Sequence, residues 1–331
     1  DFCLSRGLGD VYKRQTRIQV QNAHLALAEL SDAYFGFPSR SLGLVGVTGT
    51  DGKTTTAHLI AEILNAAGLG CGLVSTVAID DGSSRDRNRT SQTTPEAPGV
   101  QGALASMRDA GLRVAALEVS SHALVTGRVH RCVFDCAVFT NLDPEHLNFH
   151  GSLRAYRAAK ASLFAQLGLG RAKEWGRLGI VNADDRSHSA MLAECKVPTV
   201  TYGFSPAATY RPRVIRDSLD ETSFEVNVAN ESVVIRTSLT GRHNILNWLA
   251  ATATARHFGA TLADVGRAAQ TFPGVPGRLQ PVLHGLPFRV YVDFAHTPQA
   301  LSATIRHLQR NVRGRVIVLF GQAGRRDAGN R

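Results

Sequence analysis

The chain has 331 residues, of which 44% are hydrophobic and 19% are charged, a balance that excludes extended disorder. At about 100–200 residues per domain, this length predicts two or three domains. The formal net charge of +10 indicates anionic ligands. We expect small anionic molecules and no nucleic acid, because no aromatic residues interleave the basic stretches at 310–315 and 325–331. The apolar runs are too short to span a membrane, and five cysteines without paired spacing predict reduced thiols and no zinc.

Apolar runs alternate with helical patterns through the first part of the chain. Five runs have the length and apolar character of buried strands: 42–47, 71–76, 113–119, 136–141 and 179–185. Apolar residues at helical spacing lie between them, as at 55–68, whereas residues 80–96 are predicted to be a polar loop. The alternation predicts an α/β fold, with a mostly parallel central sheet and helices on both faces.

The pattern changes after residue 210. Apolar and polar residues alternate in segments 222–229 and 232–239, which predicts a small antiparallel β segment. Two helices are predicted at 243–258 and 262–271, before a linker rich in glycine and proline. The strand–helix–strand pattern that follows predicts the start of a Rossmann-like domain, with residues 316–321 as its last strand.

The strongest chemical signal is the sequence GVTGTDGKTTT at residues 46–56, between a predicted strand and a predicted helix. Its glycines would let backbone N–H groups close around phosphate oxygens, and the helix N-terminus adds a favourable dipole. Val47 stands where the strict phosphate-loop pattern has glycine, which counts against an ordinary P-loop kinase or GTPase. The predicted ATP-binding residues of this loop are Gly49, Thr50, Asp51, Gly52, Lys53, Thr54 and Thr55.

The form GTDGKTT resembles the nucleotide loop of the Mur ligases, the cytoplasmic enzymes that build the peptide stem of peptidoglycan. Further segments resemble motifs of the same family in the same order, so the resemblance covers residues 16–331. It implies an ATP-dependent ligase that forms amide bonds and works in the cytoplasm as a monomer.

Within this resemblance, three segments imply a site for two Mg²⁺ ions. Glu118, in EVSSH, lies at the carboxyl end of a predicted strand and would hold the first ion together with Thr54. His146, in TNLDPEHLNFHG, would hold the second ion. Lys160, in YRAAKASLF, would be carbamylated by CO₂ and so provide a further carboxylate for the second ion. The catalytic residues that the resemblance implies are Lys53, Glu118, His146 and Lys160.

Later segments resemble the family's contacts to ATP and to the amino acid. The residues implied near the adenine, ribose and phosphates are Asn244, Asn247, Arg278, Asp293 and His296. Arg326, in FGQAGRRDAGNR, would face the incoming amino acid.

The motifs are most similar to those of the family branch that adds the third residue, meso-diaminopimelate or L-lysine, to UDP-N-acetylmuramoyl-L-Ala-D-Glu. Thr93, Thr94, Ser120 and Arg128 fall on that branch's positions for the muramoyl-dipeptide. The implied reaction passes the γ-phosphoryl group of ATP to the peptide carboxylate, and the amine of the amino acid then attacks the acyl phosphate. The expected partners are therefore the UDP-muramoyl-dipeptide and one amino acid.

The resemblance also divides the chain, and both ends look truncated. The expected parts are a foreign or disordered lead at 1–15, a remnant of a UDP-binding domain at 16–40, a central ATP-binding domain at 41–273 and the beginning of a C-terminal domain at 274–331.

Three alternatives stay open at this point. Folylpolyglutamate synthase is similar in its loop and mechanism. A non-catalytic nucleotide-binding relative is compatible with the departures from the family pattern at Asp51, Glu145, Asn148 and Arg325. A basic nucleic-acid binder is the least favoured, and steeply salt-dependent binding would reveal it.

Overall fold

The structure is a computed structural model that describes residues 18–90, 92–282 and 285–321. The predicted lead at 1–15 and Arg326 lie outside these residues. The helices are α1 (Ala23–Tyr34), α2 (Lys53–Ala66), α3 (Ala97–Asp109), α4 (Ser121–Val125), α5 (Leu147–His150), α6 (Leu153–Gln166), α7 (His188–Glu194), α8 (Arg242–His257), α9 (Leu262–Thr271) and α10 (Pro298–Asn311). None of the helices in this described part combines the length and the apolar character that crossing a bilayer requires.

The strands belong to one large and two small sheets. They are β1 (Gly43–Thr48), β2 (Cys71–Val74), β3 (Ala78–Asp80), β4 (Arg85–Arg87), β5 (Val114–Glu118), β6 (Cys136–Phe139), β7 (Leu178–Asn182), β8 (Thr199–Tyr202), β9 (Arg211–Asp217), β10 (Thr222–Val228), β11 (Glu231–Thr237), β12 (Gln280–Val282) and β13 (Val290–Val292).

The large sheet has the strand order β4-β3-β2-β5-β1-β6-β7-β8. Its strands from β2 to β8 in this order are parallel, and β3 and β4 extend one edge in antiparallel pairing. After β1, the chain forms β2 and β5 on one side of β1, and it then forms β6 on the other side. The carboxyl ends of β1 and β6 therefore form the switch point at which sheets of this kind bind ligands.

The core lies on both faces of the large sheet. Successive side chains of a strand point to opposite faces, so Val45 and Val47 enter one apolar cluster and Leu44 enters the other. Helices α2, α8 and α9 cover the first face, and α3 and α6 cover the second. The predicted α/β class, with a mostly parallel sheet between helices, is confirmed.

The small sheets follow the large one along the chain. Strands β9 to β11 form the predicted antiparallel segment, in the order β11-β10-β9, and α9 packs against β11. Strands β12 and β13 pair antiparallel and lead into α10. Helix α10 docks beside the start of α8, where His307 Nε2 lies 3.0 Å from Thr240 Oγ1.

Two local expectations were wrong. The predicted polar loop at 80–96 begins within β3 and contains β4, which together form a short hairpin. The predicted strand at 316–321 is not a strand, and Leu319 is 99% exposed. A strand exists only through hydrogen bonds to a neighbour, and none of the described strands pairs with this run.

A buried ion pair joins the segment before β1 to the core. Lys173 Nζ lies 2.6 Å from Asp135 Oδ2 and also donates to the carbonyl oxygens of Ser39, Leu42 and Val133. Burial raises the pKa of Asp135 and lowers the pKa of Lys173, and each group's charge opposes the shift of the other. Either charge without its partner would therefore be costly to keep in this position.

Replacing Lys173 with Met should lower the free energy of unfolding by about 3–5 kcal/mol, because Asp135 loses its counter-ion while it stays buried. Urea denaturation measures this change. The exposed Lys196 is the matched control, and Lys196→Met should change stability by less than about 0.5 kcal/mol. Equal effects of the two substitutions would contradict the structural role of Lys173.

A buried histidine links α2 to the hairpin β3–β4. His58 Nδ1 lies 3.0 Å from an Arg85 guanidinium nitrogen, which can only donate, so the ring accepts there and carries its proton on Nε2. His58 Nε2 lies 3.0 Å from Ser75 Oγ and donates to it. Burial, followed by the charge of Arg85, lowers the pKa of His58 to about 3.

This shift predicts a pH dependence of stability. The unfolded chain protonates His58 below a pH of roughly 6.5, whereas the folded chain stays neutral down to about pH 3, so stability falls as the pH falls through this window. In His58→Gln, the slope of unfolding free energy against pH should decrease by up to about 1.4 kcal/mol per pH unit. Replacement of the exposed His24 by Gln is the control and should keep the wild-type slope. An unchanged slope in His58→Gln would show that this ring does not stay neutral.

Candidate active site

The loop between β1 and α2 requires glycine at two positions. Gly49 has a φ of 150° and Gly52 has a φ of 82°. A Cβ on Gly49 would lie 1.8 Å from Thr140 Oγ1, and a Cβ on Gly52 would lie 2.6 Å from Asn247 Oδ1. Val47 lies inside the buried strand β1, so the loop begins only after Thr48.

The loop is anchored by the residues that follow β6. Thr140 Oγ1 donates to the carbonyl oxygen of Asp51 at 2.6 Å. Asn141 accepts from the Asp51 N–H through Oδ1, donates to the Asp51 carbonyl through Nδ2, and accepts from the Thr50 N–H through its own carbonyl. These bonds fix the peptide groups on both sides of Asp51, although some 90 residues separate the two segments.

Two lysines converge on one carbonyl of the loop. Lys53 Nζ donates to the carbonyl oxygens of Gly49, at 3.1 Å, and Thr50, at 2.6 Å. Lys160 Nζ, on α6, donates to the same Gly49 oxygen at 2.6 Å. Burial, and then the nearby charge of Lys53, lowers the pKa of Lys160 well below its usual value. The surroundings of Lys160 beside the loop therefore favour its uncharged form.

Glu118, at the end of β5, is a fully buried carboxylate next to the loop. Both of its oxygens accept from Thr76, one from the backbone N–H at 3.1 Å and one from the hydroxyl at 2.8 Å. The Thr76 hydroxyl also lies 3.1 Å from Thr93 Oγ1. Burial raises the pKa of Glu118, while Lys53, Thr76 and Thr54 oppose that rise. The carboxylate of Glu118 and the hydroxyl of Thr54 are oxygen ligands of the kind that Mg²⁺ prefers.

His146 lies next to a carboxylate that is hydrogen-bonded to a second histidine. It has a φ of 55° at the start of α5, and its ring is 4.6 Å from that of His122. The neighbouring Glu145 accepts from His296 Nε2 at 2.8 Å. Burial opposes ionisation of Glu145, but the bond from His296 and the charge of Lys53 bring its pKa down to about 2. In the part of the chain that the structure describes, no three His, Cys, Asp or Glu side chains surround a common metal position.

A cavity of about 270 Å³ opens beside the loop, at the carboxyl ends of β6 and β7. Its lining includes most of the residues predicted to contact ATP: Asp51, Gly52, Thr54, Thr55, Asn244, Asn247, Arg278 and Asp293. Arg278 reaches across it and donates to Thr54 Oγ1 at 2.9 Å. The lining does not include four other predicted ATP-binding residues, Gly49, Thr50, Lys53 and His296. His296 contacts Glu145 instead.

Asn244 and Asn247 are held by hydrogen bonds of their own. Asn247 Oδ1 accepts from Thr56 Oγ1 at 3.2 Å, and its Nδ2 donates to Asn244 Oδ1 at 3.0 Å. Asn244 Nδ2 donates to the carbonyl of Thr240. The two amides therefore tie α8 to the helix that follows the phosphate loop, in addition to lining the cavity.

The residues predicted to bind the muramoyl-dipeptide include Thr94, Ser120 and Arg128, which lie together beside Glu118. Thr94 Oγ1 donates to the carbonyl of Glu118 at 2.8 Å and accepts from the N–H of Ser120 at 3.0 Å. Arg128 donates to the carbonyl of Thr94 at 3.0 Å. The predicted amino-acid contact, Arg326, lies outside the described residues.

Sequence reasoning missed several residues of the site. Asp143 and Asp185 line the cavity, and burial, followed by the charges of Asp51 and Asp185, raises the pKa of Asp143 to about 6. Thr76, which holds Glu118, was also missed. All three lie at or just beyond the carboxyl end of a predicted parallel strand, and that position was the signal that could have found them.

This fold and this loop define an α/β protein with a glycine-rich loop at the switch point of a parallel sheet. The chain belongs to the Mur ligase family. Residues 47–255 match the Mur ligase middle domain, and residues 277–331 match the Mur ligase, glutamate ligase domain.

Curated relatives agree with this assignment. The UDP-N-acetylmuramoyl-L-alanyl-D-glutamate–2,6-diaminopimelate ligase of Halalkalibacterium halodurans is 38% identical over 94% of this chain and 63% of its own length. The UDP-N-acetylmuramyl-tripeptide synthetase of Roseiflexus sp. is 40% identical over 95% of this chain and 63% of its own length. The chain thus spans about 63% of the length of these relatives.

Solved structures share the fold. A structure of UDP-N-acetylmuramoyl-L-alanyl-D-glutamate–2,6-diaminopimelate ligase has a TM-score of 0.74 and 29% identity, and covers 96% of this chain and 65% of its own. Folylpolyglutamate synthase of Mycobacterium tuberculosis, complexed with ADP and AMPPCP, has a TM-score of 0.69 and 19% identity, over 87% and 71% of the two chains. At that identity the likeness to the synthase shows the fold alone.

Replacing Gly49 with Ala should prevent the loop from adopting the conformation seen here, because the added Cβ would clash with Thr140 Oγ1. We expect at least ~10-fold weaker binding of Mg·ATP in calorimetric titration, which corresponds to about 1.4 kcal/mol. Gly314→Ala is the matched control, since a Cβ there meets nothing within 4 Å. Wild-type affinity in Gly49→Ala would contradict this account of the loop.

Proposed function

We propose that the protein is an ATP-dependent ligase that adds an amino acid, 2,6-diaminopimelate or L-lysine, to UDP-N-acetylmuramoyl-L-Ala-D-Glu. The position of Glu118 carries this proposal. Its side chain lies beside Lys53 and Thr54 of the phosphate loop, and its carbonyl accepts from Thr94 in the predicted peptide site. ATP, which donates the phosphoryl group, and the peptide carboxylate, which receives that group, would therefore meet at the end of β5.

The residues of the loop fit ATP and its metal. We propose that Thr54 and Glu118 hold the Mg²⁺ that accompanies ATP, and that His146 and carbamylated Lys160 hold a second ion. Burial of the Lys160 amine supports carbamylation, because it favours the uncharged form, which is the form that reacts with CO₂. Bound Mg²⁺ would supply neutralisation of phosphate charge.

The chain's own residues would then do the positioning. The γ-phosphoryl group passes to the free carboxylate of the peptide, the amine of the amino acid attacks the acyl phosphate, and phosphate leaves as the amide forms. Lys53 would exchange its bonds to the loop carbonyls for phosphate oxygens, and Arg278 would add a second positive charge from across the cavity. Asp293 and His296 would lie near the ribose and phosphates, and Arg326 would face the amino acid.

We extend the proposal to the organisation of the protein. The central domain would cover 41–273, after a remnant of the UDP-binding domain at 16–40, and the C-terminal domain would begin at 274. We also propose that the protein works in the cytoplasm as a monomer. Folylpolyglutamate synthesis and nucleotide binding without catalysis remain the competing functions.

The decisive experiment is phosphate release from ATP by the protein that carries this chain, with Mg²⁺, bicarbonate, UDP-N-acetylmuramoyl-L-Ala-D-Glu and a panel of amino acids. Release that requires both the nucleotide-peptide and one amino acid is the expected result. Release that requires a folate and glutamate would support the synthase instead. ATP binding without release under any condition would indicate a non-catalytic relative.

Lys53→Ala should lower this phosphate release at least ~100-fold, because the loop loses the ammonium that neutralises the transferred group. Lys196 is exposed, so Lys196→Ala is the control and should release phosphate at the wild-type rate. Turnover by Lys53→Ala at the wild-type rate would remove the loop from the proposed mechanism.

A further inference from the structure

One buried tyrosine joins the phosphate loop to the rest of the site. Tyr156, on α6, is 0% exposed, and its hydroxyl lies 3.0 Å from Thr50 Oγ1 in the loop. The same hydroxyl is 3.5 Å from Glu145 Oε2. Lys160 Nζ lies 4.3 Å from the centre of the ring. No role for Tyr156 follows from the function proposed above.

The hydrogen bonds around Thr50 decide which hydroxyl donates. Thr50 Oγ1 accepts from the N–H of Asp143 at 3.0 Å and donates to the carbonyl of Asp143 at 3.1 Å. A threonine hydroxyl has one proton, and while Thr50 donates it to Asp143, Tyr156 is the donor in its bond to Thr50.

We propose that Tyr156 is a positioning residue for the phosphate loop, through the hydrogen bond from its hydroxyl to Thr50. This proposal rests on the proposed function, in which the loop receives the phosphates of ATP. Thr50 is the only residue of the loop, among those described, whose hydroxyl is held from α6. Its carbonyl also accepts from Lys53, so a shift of Thr50 would move the lysine that reaches the phosphates.

The geometry favours the loop over Glu145 as the partner of this hydroxyl. The distance to Thr50 is 3.0 Å, which is a normal hydrogen bond, whereas 3.5 Å to Glu145 is at the limit. Glu145 has a stronger donor in His296, at 2.8 Å. Removing the phenol oxygen should therefore disturb the loop and leave the pair of Glu145 and His296 in place.

The test compares a ligand that has phosphates with one that lacks them. Dissociation constants of Mg·ATP, by calorimetry, and of adenosine, by NMR titration, are measured for the wild type, Tyr156→Phe, Thr50→Val and the double variant. We expect Tyr156→Phe to weaken Mg·ATP binding ~3- to 10-fold, the range for one net hydrogen bond, with adenosine binding unchanged. The double variant should bind Mg·ATP as Thr50→Val does, because both substitutions remove the same bond.

Two controls separate this role from a general loss of structure. Thr50→Ser keeps a hydroxyl and should retain most of the wild-type affinity for Mg·ATP. Tyr210→Phe removes a tyrosine oxygen from a residue that is also buried but whose backbone bonds Thr201 and Gly203 beside β8, and it should leave both affinities unchanged.

Several results would overturn the proposal. Wild-type affinity of Tyr156→Phe for Mg·ATP, equal losses for ATP and adenosine, or additive losses in the double variant would each show that the hydroxyl does not position the loop. No binding of Mg·ATP by the wild type would overturn the proposed function and this proposal with it.

Discussion

The parallel pairing of β1 with β6 is the constraint on which the site depends. This pairing places the end of β1 level with the end of β6, with Thr48 opposite Phe139. The loop after β1 and the loop after β6 therefore meet. Two glycines with positive φ leave the backbone of the phosphate loop few restraints of its own. Hydrogen bonds from Thr140 and Asn141 give it one conformation. The cavity and the anchoring of α8 follow from that conformation.

The electrostatics of the site follow from the same packing. Glu118 and Lys160 are both fully buried, and each lies close enough to Lys53 for its ionisation to be affected. Lys53 favours the charged form of Glu118 and the neutral form of Lys160, so one lysine acts in opposite senses on its two neighbours. Short hydrogen bonds to Thr76 and Gly49 hold these two polar groups in place.

Local patterns were sufficient to predict most of the fold. The structure contains the buried strands of the large sheet, the antiparallel segment and the two helices after it, all close to the predicted residues. These elements were predictable because the hydrophobic period of a segment depends only on residues that are close together in sequence. The failures were the hairpin inside 80–96 and the run at 316–321, since pairing depends on a partner strand that periodicity does not reveal. The site was predicted as a set of segments, but their contacts were not. The turn of His296 toward Glu145, away from the cavity, is one such contact.

The sequence by itself determined which segments are candidates for the site: a glycine-rich turn between a buried strand and a helix, a carboxylate at a strand end and a lysine on a helix. These features depend on residues a few positions apart, which share one stretch of backbone. Only the tertiary structure decided that Asn141 holds Asp51, that Tyr156 reaches Thr50 and that Lys160 shares a carbonyl with Lys53. The reason is physical, because hydrogen bonds act over about 3 Å and depend on direction, whereas their partners lie about 90 to 110 residues apart along the chain.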